Sequence, residues 1–544
     1  MKWTVRTDSS GNPLTDLHAN SFSAVASLYD GQDARFLETY DRRVQTVLPL
    51  FSKAQRDALV NALQSHMITL GASEASMSQL ERLRDEQSVA VVTGQQAGLF
   101  TGPLYSVYKA MSAIGLAKRL EKQLSRPVVP VFWVASEDHD WAEVNHAYLL
   151  DDMDNVRRVG LSINPDAHQM VYHTKLSAAA VESVLQEAHD LLPEGPYKAQ
   201  MLSVIADSWD EDTSMSTWFA RILLHLVQSQ GLVIMDPCLP EVRELARPVW
   251  KTALENHEFV NESLTNVYRE VEEQGFRPAV IRDETNTTLF YVLDGKRYVL
   301  ERTESGSLRA RGLGIERSVS EWLTEAEASP TSFSSNVLLR PVVQDHLLPT
   351  IAYVGGPAEI AYHSLSRGVF HAFGRTLPPL VLRDRVTLYP GSVVRSMAKW
   401  DVTMEDVRKP VDLVSPMLTE LGANQLDDLF GRLRGDVTHR WQDWGRQLEH
   451  LGPQIADMAR GQSQREIAGL HRLEHKTRHL FRERHTVQVQ QLQHIERWLW
   501  TDGAPQERRL CPLSIWSRYG FDWLAELTFW GDYLSSCVVY HVEL

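Results

Sequence analysis

The chain has 544 residues, 43% hydrophobic and 23% charged, a globular composition with material for about three domains or one large core with insertions. Its net charge of −15 opposes a phosphate backbone, which excludes general nucleic-acid binding and requires local Arg or Lys for any anionic substrate. The three scattered cysteines, Cys238, Cys511 and Cys537, lack metal-finger or CxxC spacing and fit a reduced, cytoplasmic protein.

The polar start over 1–13 lacks the apolar run of a secretory signal. Residues 1–87 read as an N-terminal helical segment, in which Phe36, Tyr40, Val44, Val47 and Leu48 recur at helical spacing and a second series passes Leu63 and Leu83. From 88 to 390 the pattern is that of an α/β Rossmann-type core with a parallel sheet. A β-branched run at 88–92 ends in Thr93-Gly94, and helical spacing returns over 103–124. The apolar run 128–135 reads as a buried strand, far short of the ~20 residues that cross a bilayer. Strand, turn, helix and strand make a βαβ unit with right-handed crossover. Residues 231–237 read as a further parallel strand. Insertions are expected at about 147–205 and 265–330, the second holding an antiparallel subregion with a hairpin at Asp294-Gly295.

Over 391–505 the expectation is an antiparallel coiled-coil helical hairpin. Leu426, Phe430, Leu433, Val437, Trp441, Trp444, Leu448, Leu451, Ile455 and Met458 alternate by three and four. Gly461-Gln462-Ser463 is the expected turn, and Pro453 is expected to bend or interrupt the first helix. The tail, 506–544, is apolar and aromatic and is expected to pack back on the core.

Three polar runs stand out. The first, 93–109, follows a strand and opens a helix: Gly98 and Gly102 admit close backbone approach, and a helix N-terminus favours an anion. Gln95 and Gln96 can donate and accept, while Tyr105 and Lys109 share about one helix face. The plainer alternative is a turn that uses glycine for geometry alone. The second run, 136–146, sets Asp138, His139, Asp140 and His146 directly after the buried strand. These suit proton transfer or a divalent ion, but their spacing matches no metal signature and no metal is assigned. A helix-capping acidic loop is the bland alternative. The third, 339–362, holds Arg340, Gln344 and Asp345, then Gly355, Gly356 and Glu359 at a second anion-capable turn. Arg340 and Arg383 can grip a carboxylate bidentately, or serve as surface ion pairs.

The runs VVTGQQAGLFTGPLYSVYKA, PVVPVFWVASEDHDWAEVNH and NVLLRPVVQDHLLPTIAYVGGPAEIAY resemble the bacillithiol cysteine-adding enzyme family, BshC, as do GLVIMDP at 231–237 and PQER at 505–508. The resemblance implies a Rossmann-type core similar to class I aminoacyl-tRNA synthetases, a coiled coil and a homodimer. It also implies the activity: a ligase joining L-cysteine to the amine of glucosaminyl malate in the last step of bacillithiol biosynthesis. Because a carboxylate and an amine do not condense unaided in water, ATP with Mg²⁺ is the expected activating cosubstrate, although HIGH-type and KMSKS-type signatures are missing. Under this reading Asp138, His139, Asp140 and His146 are the proton-transfer set. Gln95, Gln96, Gly98, Gly102, Tyr105, Lys109, Arg340, Gln344, Asp345, Gly355, Gly356, Glu359 and Arg383 bind substrate or nucleotide. Rival readings are a nucleotide-dependent transferase or metal-assisted hydrolase, and a non-catalytic dimeric coiled-coil scaffold.

Overall fold

The computed structural model describes residues 2–409, 412–523 and 537–544. These divide into two compact units, 2–387 with 507–523 and 537–542, and 388–409 with 412–506 and 543–544.

In the first unit, β1 (Val89–Gln95) leads through a tight turn into α1 (Tyr105–Leu124) and back into β2 (Val128–Val134). Next come β3 (Val233–Met235) and α2 (His257–Glu273). Five antiparallel strands follow: β4 (Asn286–Leu293), β5 (Lys296–Arg302), β6 (Leu308–Ala310), β7 (Ile315–Arg317) and β8 (Phe333–Ser335). The chain returns through α3 (Arg340–Leu347), β9 (Thr350–Gly355), α4 (Pro357–Ala372) and β10 (Leu380–Leu382).

The central sheet has the order β10-β9-β1-β2-β3, with every neighbouring pair parallel. All positions of β2 and β9 are buried, as a parallel sheet covered on both faces requires. One cover is α1, whose Ala113, Leu116, Ala117 and Leu120 pack against Val89, Val91, Ile351 and Val354 together with Tyr40, Val44 and Val47 of the Leu37–Val47 helix. The crossover β1-α1-β2 runs one way from β1, and β9-α4-β10 runs the other way. The strand order therefore switches between β1 and β9, where α/β sheets open a crevice at their carboxyl ends.

The antiparallel sheet has the order β7-β6-β5-β4-β8. The β4–β5 hairpin turns on Asp294 (φ 50°) and Gly295 (φ 75°), as the Asp-Gly pair predicts. It carries Phe290 and Arg297 toward the crevice.

The second unit contains a helical hairpin of α5 (Asn424–Gln447) and α6 (Pro453–Arg484). Ion pairs Arg434–Glu474 and Arg478–Asp427 join the two helices, and Gly445 faces Ala459, so they run antiparallel. The turn differs from the expected one. Gly461, Gln462 and Ser463 lie inside α6, and the chain reverses at Glu449–Gly452 instead. Gly452 (φ 132°) permits the reversal, and Pro453, rather than interrupting a helix, opens one. The three/four apolar spacing happens to continue across the turn, so periodicity alone hides it. Among the described residues no helix is long and apolar enough to cross a membrane.

Candidate active site

At the carboxyl ends of β1, β2 and β9 lies a cleft of about 570 Å³. Its first wall is built around Lys109, only 2% exposed although it sits in the second turn of α1. The ammonium donates to the Gly94 carbonyl at 2.8 Å and Gln95 Oε1 at 2.7 Å, and pairs with Glu359. Burial pushes its pKa below the usual lysine range, and Glu359 opposes that shift. Burial pulls the Glu359 carboxyl upward, but Lys109, the Tyr353 hydroxyl at 2.6 Å and the Gly356 N–H at 2.8 Å prevail and hold it ionised. Pro357 pre-sets the first turn of α4, which aims Glu359 at the cleft. Arg340 donates to the Tyr362 hydroxyl at 2.5 Å and to Gln344 at 3.3 Å. Arg383 grips Glu507 with both terminal nitrogens, at 2.8 and 2.7 Å.

The second wall follows β2. Glu137 is buried between Ser335 Oγ at 3.3 Å and Arg243 at 3.6 Å. Burial raises the Asp138 pKa, but Arg297 at 4.0 Å, Gln96 and the His139 and Asp140 amides lower it further, so the carboxylate stays charged. Gln96 Nε2 donates to Asp138 at 2.7 Å and to Glu143 at 2.8 Å, bridging two carboxylates. Arg297 lies over the Phe290 ring at 4.0 Å and donates to Ser335 O at 2.6 Å. His139 Nδ1 is buried without a hydrogen-bond partner, 3.8 Å from Asp138 Oδ1. Burial first, then Arg297, lowers the imidazole pKa, so the ring is neutral and basic near pH 7.

Ten of the expected site residues therefore line this cleft: Gln95, Gln96, Tyr105, Lys109, Asp138, His139, Arg340, Gly356, Glu359 and Arg383. Others lie elsewhere. Gly98, Gly102 and His146 border a side chamber. Asp140 caps the short helix Trp141–Val144 by accepting from Glu143 N. Gly355 ends β9 inside the sheet. Gln344 and Asp345 do not line the cleft: Gln344 lies behind it, accepting from Arg340, and Asp345, 1% exposed, is enclosed by Arg43 and Arg375 and ties the Leu37–Val47 helix to α3. Its role is thus a buried structural ion pair, because the Leu37–Val47 helix supplies the partner that the local motif does not reveal. Cleft residues outside the expected set include Glu137, Arg297, Tyr353, Tyr362 and Arg508. Tyr353 and Tyr362 lay within the third polar run, and Arg508 within PQER; Arg297 had no local signal.

The turn after β1 is built for close packing. Phe100 (φ 54°), Thr101 (φ 74°) and Gly102 (φ 68°) are successive left-handed residues, and a Cβ on Gly98 would meet Gly102 Cα at 2.9 Å. Opposed charges and a neutral imidazole beside a held carboxylate, in a cleft with aromatic rings in its lining, together suit acyl or group transfer between small polar molecules. Among the described residues no group of three or more His, Cys, Asp or Glu is gathered as a metal ligand set.

Two family models match the chain: the bacillithiol biosynthesis BshC N-terminal Rossmann-like domain over 1–384, and the BshC C-terminal coiled-coil domain over 386–530. Relatives provisionally named cysteine ligase BshC include one from Heliobacterium modesticaldum, 34% identical over 92% of this chain and 93% of its own. Another, from Symbiobacterium thermophilum, is 32% identical over 94% of each. A third, from Anoxybacillus flavithermus, is 32% identical over 87% of this chain and 88% of its own.

Proposed function

Since the chain belongs to the BshC family of bacillithiol biosynthesis, we propose that its cleft joins the carboxyl of L-cysteine to the amine of glucosaminyl malate. The observation that carries this reading is the pairing of a neutral His139 with an ionised Asp138 in a cleft whose opposite wall holds Arg340 beside the Lys109–Glu359 and Arg383–Glu507 ion pairs. ATP, with Mg²⁺ on its phosphates, activates the cysteine carboxylate as an acyl-adenylate and releases pyrophosphate. The glucosamine nitrogen attacks that carbonyl, an amide bond forms, and AMP leaves with the bonding electron pair. His139 accepts the proton that the nitrogen must shed. Asp138 stabilises the imidazolium that results, and Gln96 fixes Asp138 in place. Arg340, beside the Lys109–Glu359 pair, supplies positive charge for the substrate's anionic groups. The family resemblance and the unmatched apolar surface of the hairpin support a homodimer.

The test is condensation followed by mass spectrometry. Protein, L-cysteine, glucosaminyl malate and Mg²⁺ are incubated with and without ATP, beside His139→Ala. The expected result is amide product and AMP only with ATP, and a loss of ~10²–10⁴-fold in the variant, as for removal of a general base. Product without ATP rejects adenylation. No product from folded protein with any nucleoside triphosphate rejects the reading.

A further inference from the structure

The main cleft opens into a second chamber of about 280 Å³ beside the turn after β1. The two share Gln95, Gln96, Tyr105 and Arg508. Five cations line the main cleft, and four are engaged. Lys109 holds Glu359, Arg297 holds the β8 backbone, Arg340 holds Tyr362, and Arg383 holds Glu507. Arg508 alone makes no hydrogen bond or ion pair with any described residue, and it is exposed at the junction of the chambers.

A lone exposed arginine is ordinary. A second observation comes from the chamber itself. Ser106, on its wall, is fully buried and its Oγ has no hydrogen-bond partner, a costly state for a hydroxyl. The surroundings add positive charge: the Arg509 guanidinium lies over the Tyr148 ring at 3.8 Å. The one carboxylate at the rim, Glu143, already accepts from Gln96.

We infer that this chamber receives an oxyanion group, a carboxylate or a phosphate, of a cosubstrate whose reacting end lies in the main cleft. Arg508 grips it across the junction with its planar fork. A volume of about 280 Å³, just under the range of whole small-ligand pockets, holds such a group together with part of the molecule that carries it. The naming of the cosubstrate rests on the ligase reading: the malate carboxylates of the acceptor and the phosphates of the nucleotide present the same chemistry.

Calorimetry on the full chain separates the two sources without turnover. L-malate and inorganic pyrophosphate are titrated into wild type, Arg508→Gln, Arg508→Lys and Ser106→Ala. One probe is expected to bind wild type and to lose ~10–100-fold in affinity in Arg508→Gln, the loss of charge-assisted hydrogen bonds. Arg508→Lys retains part of that affinity, and Ser106→Ala loses a few-fold. Binding of malate alone assigns the acceptor, and of pyrophosphate alone the nucleotide. In turnover, Arg508→Gln raises the KM of the matching cosubstrate and leaves that of cysteine unchanged. Equal binding by wild type and Arg508→Gln, or no binding of either probe to wild type, overturns the inference. Arg508-dependent binding without any condensation keeps the chamber and rejects the ligase reading. Condensation by Arg508→Gln with every KM unchanged does the reverse.

Discussion

His139 owes its usefulness to two neighbours that act in opposite senses. Burial and the Arg297 charge hold the imidazole neutral, while Asp138 stands ready to stabilise the protonated ring. A base works in its neutral form, so activity is present above its pKa and is lost as pH falls through it. The acid limb of kcat/KM is therefore expected below the ordinary imidazole range of about 6.5. Replacing Arg297 with Gln removes a like charge, raises the His139 pKa and moves the limb to higher pH. Burial persists, so the return is partial. The pH–rate profile of Arg297→Gln measures this directly. A limb that stays where wild type has it, in a variant still active at high pH, would mean that another group titrates.

The secondary-structure elements set those residues by close packing, and one contact offers a clean probe. On α4, Gly368 lies against α2 so tightly that a Cβ would stand 2.9 Å from the Ser263 carbonyl oxygen. Alanine is the better helix former by ~1 kcal/mol, but the obstacle is backbone and cannot rotate away. Overpacking of this kind costs about 1–3 kcal/mol, so Gly368→Ala is expected to lower the urea midpoint of the first unit. A raised midpoint would show that the two helices separate freely. Elements of this kind were legible in the sequence where one pattern had one meaning. The β-branched runs before Thr93 and Ser136 predicted two adjacent parallel strands, and Asp294-Gly295 predicted its hairpin. Legibility failed where distant segments meet. Asp345 reads as a ligand-binding acid until Arg43 arrives from a helix far upstream, and Arg297 reads as an ordinary strand residue until its hairpin reaches the crevice. The hairpin turn failed for a different reason, since an apolar period carries no mark of where the chain reverses.

At the scale of the whole molecule, the hairpin carries more apolar surface than it covers. Along α5 and α6 only Phe430, Gly445 and Ala459 are buried. Leu433, Trp444, Met458, Leu473 and Leu480 remain 37–61% exposed. A seam at coiled-coil spacing with its side chains in water calls for a second surface, and a copy of the same hairpin is the partner proposed for it. Leu433→Glu combined with Leu480→Glu places two charges on that seam without touching Phe430. Wild type is expected to sediment as a dimer and the double variant as a monomer, with unchanged helical circular dichroism. Every residue named in the cleft and its side chamber belongs to the first unit. The monomeric variant should therefore keep condensation activity per protomer within about two-fold, the scale of a surface change distant from a site. A dimer that survives both charges places the interface elsewhere. A monomer that has lost activity with its fold intact means instead that the partner protomer completes the site.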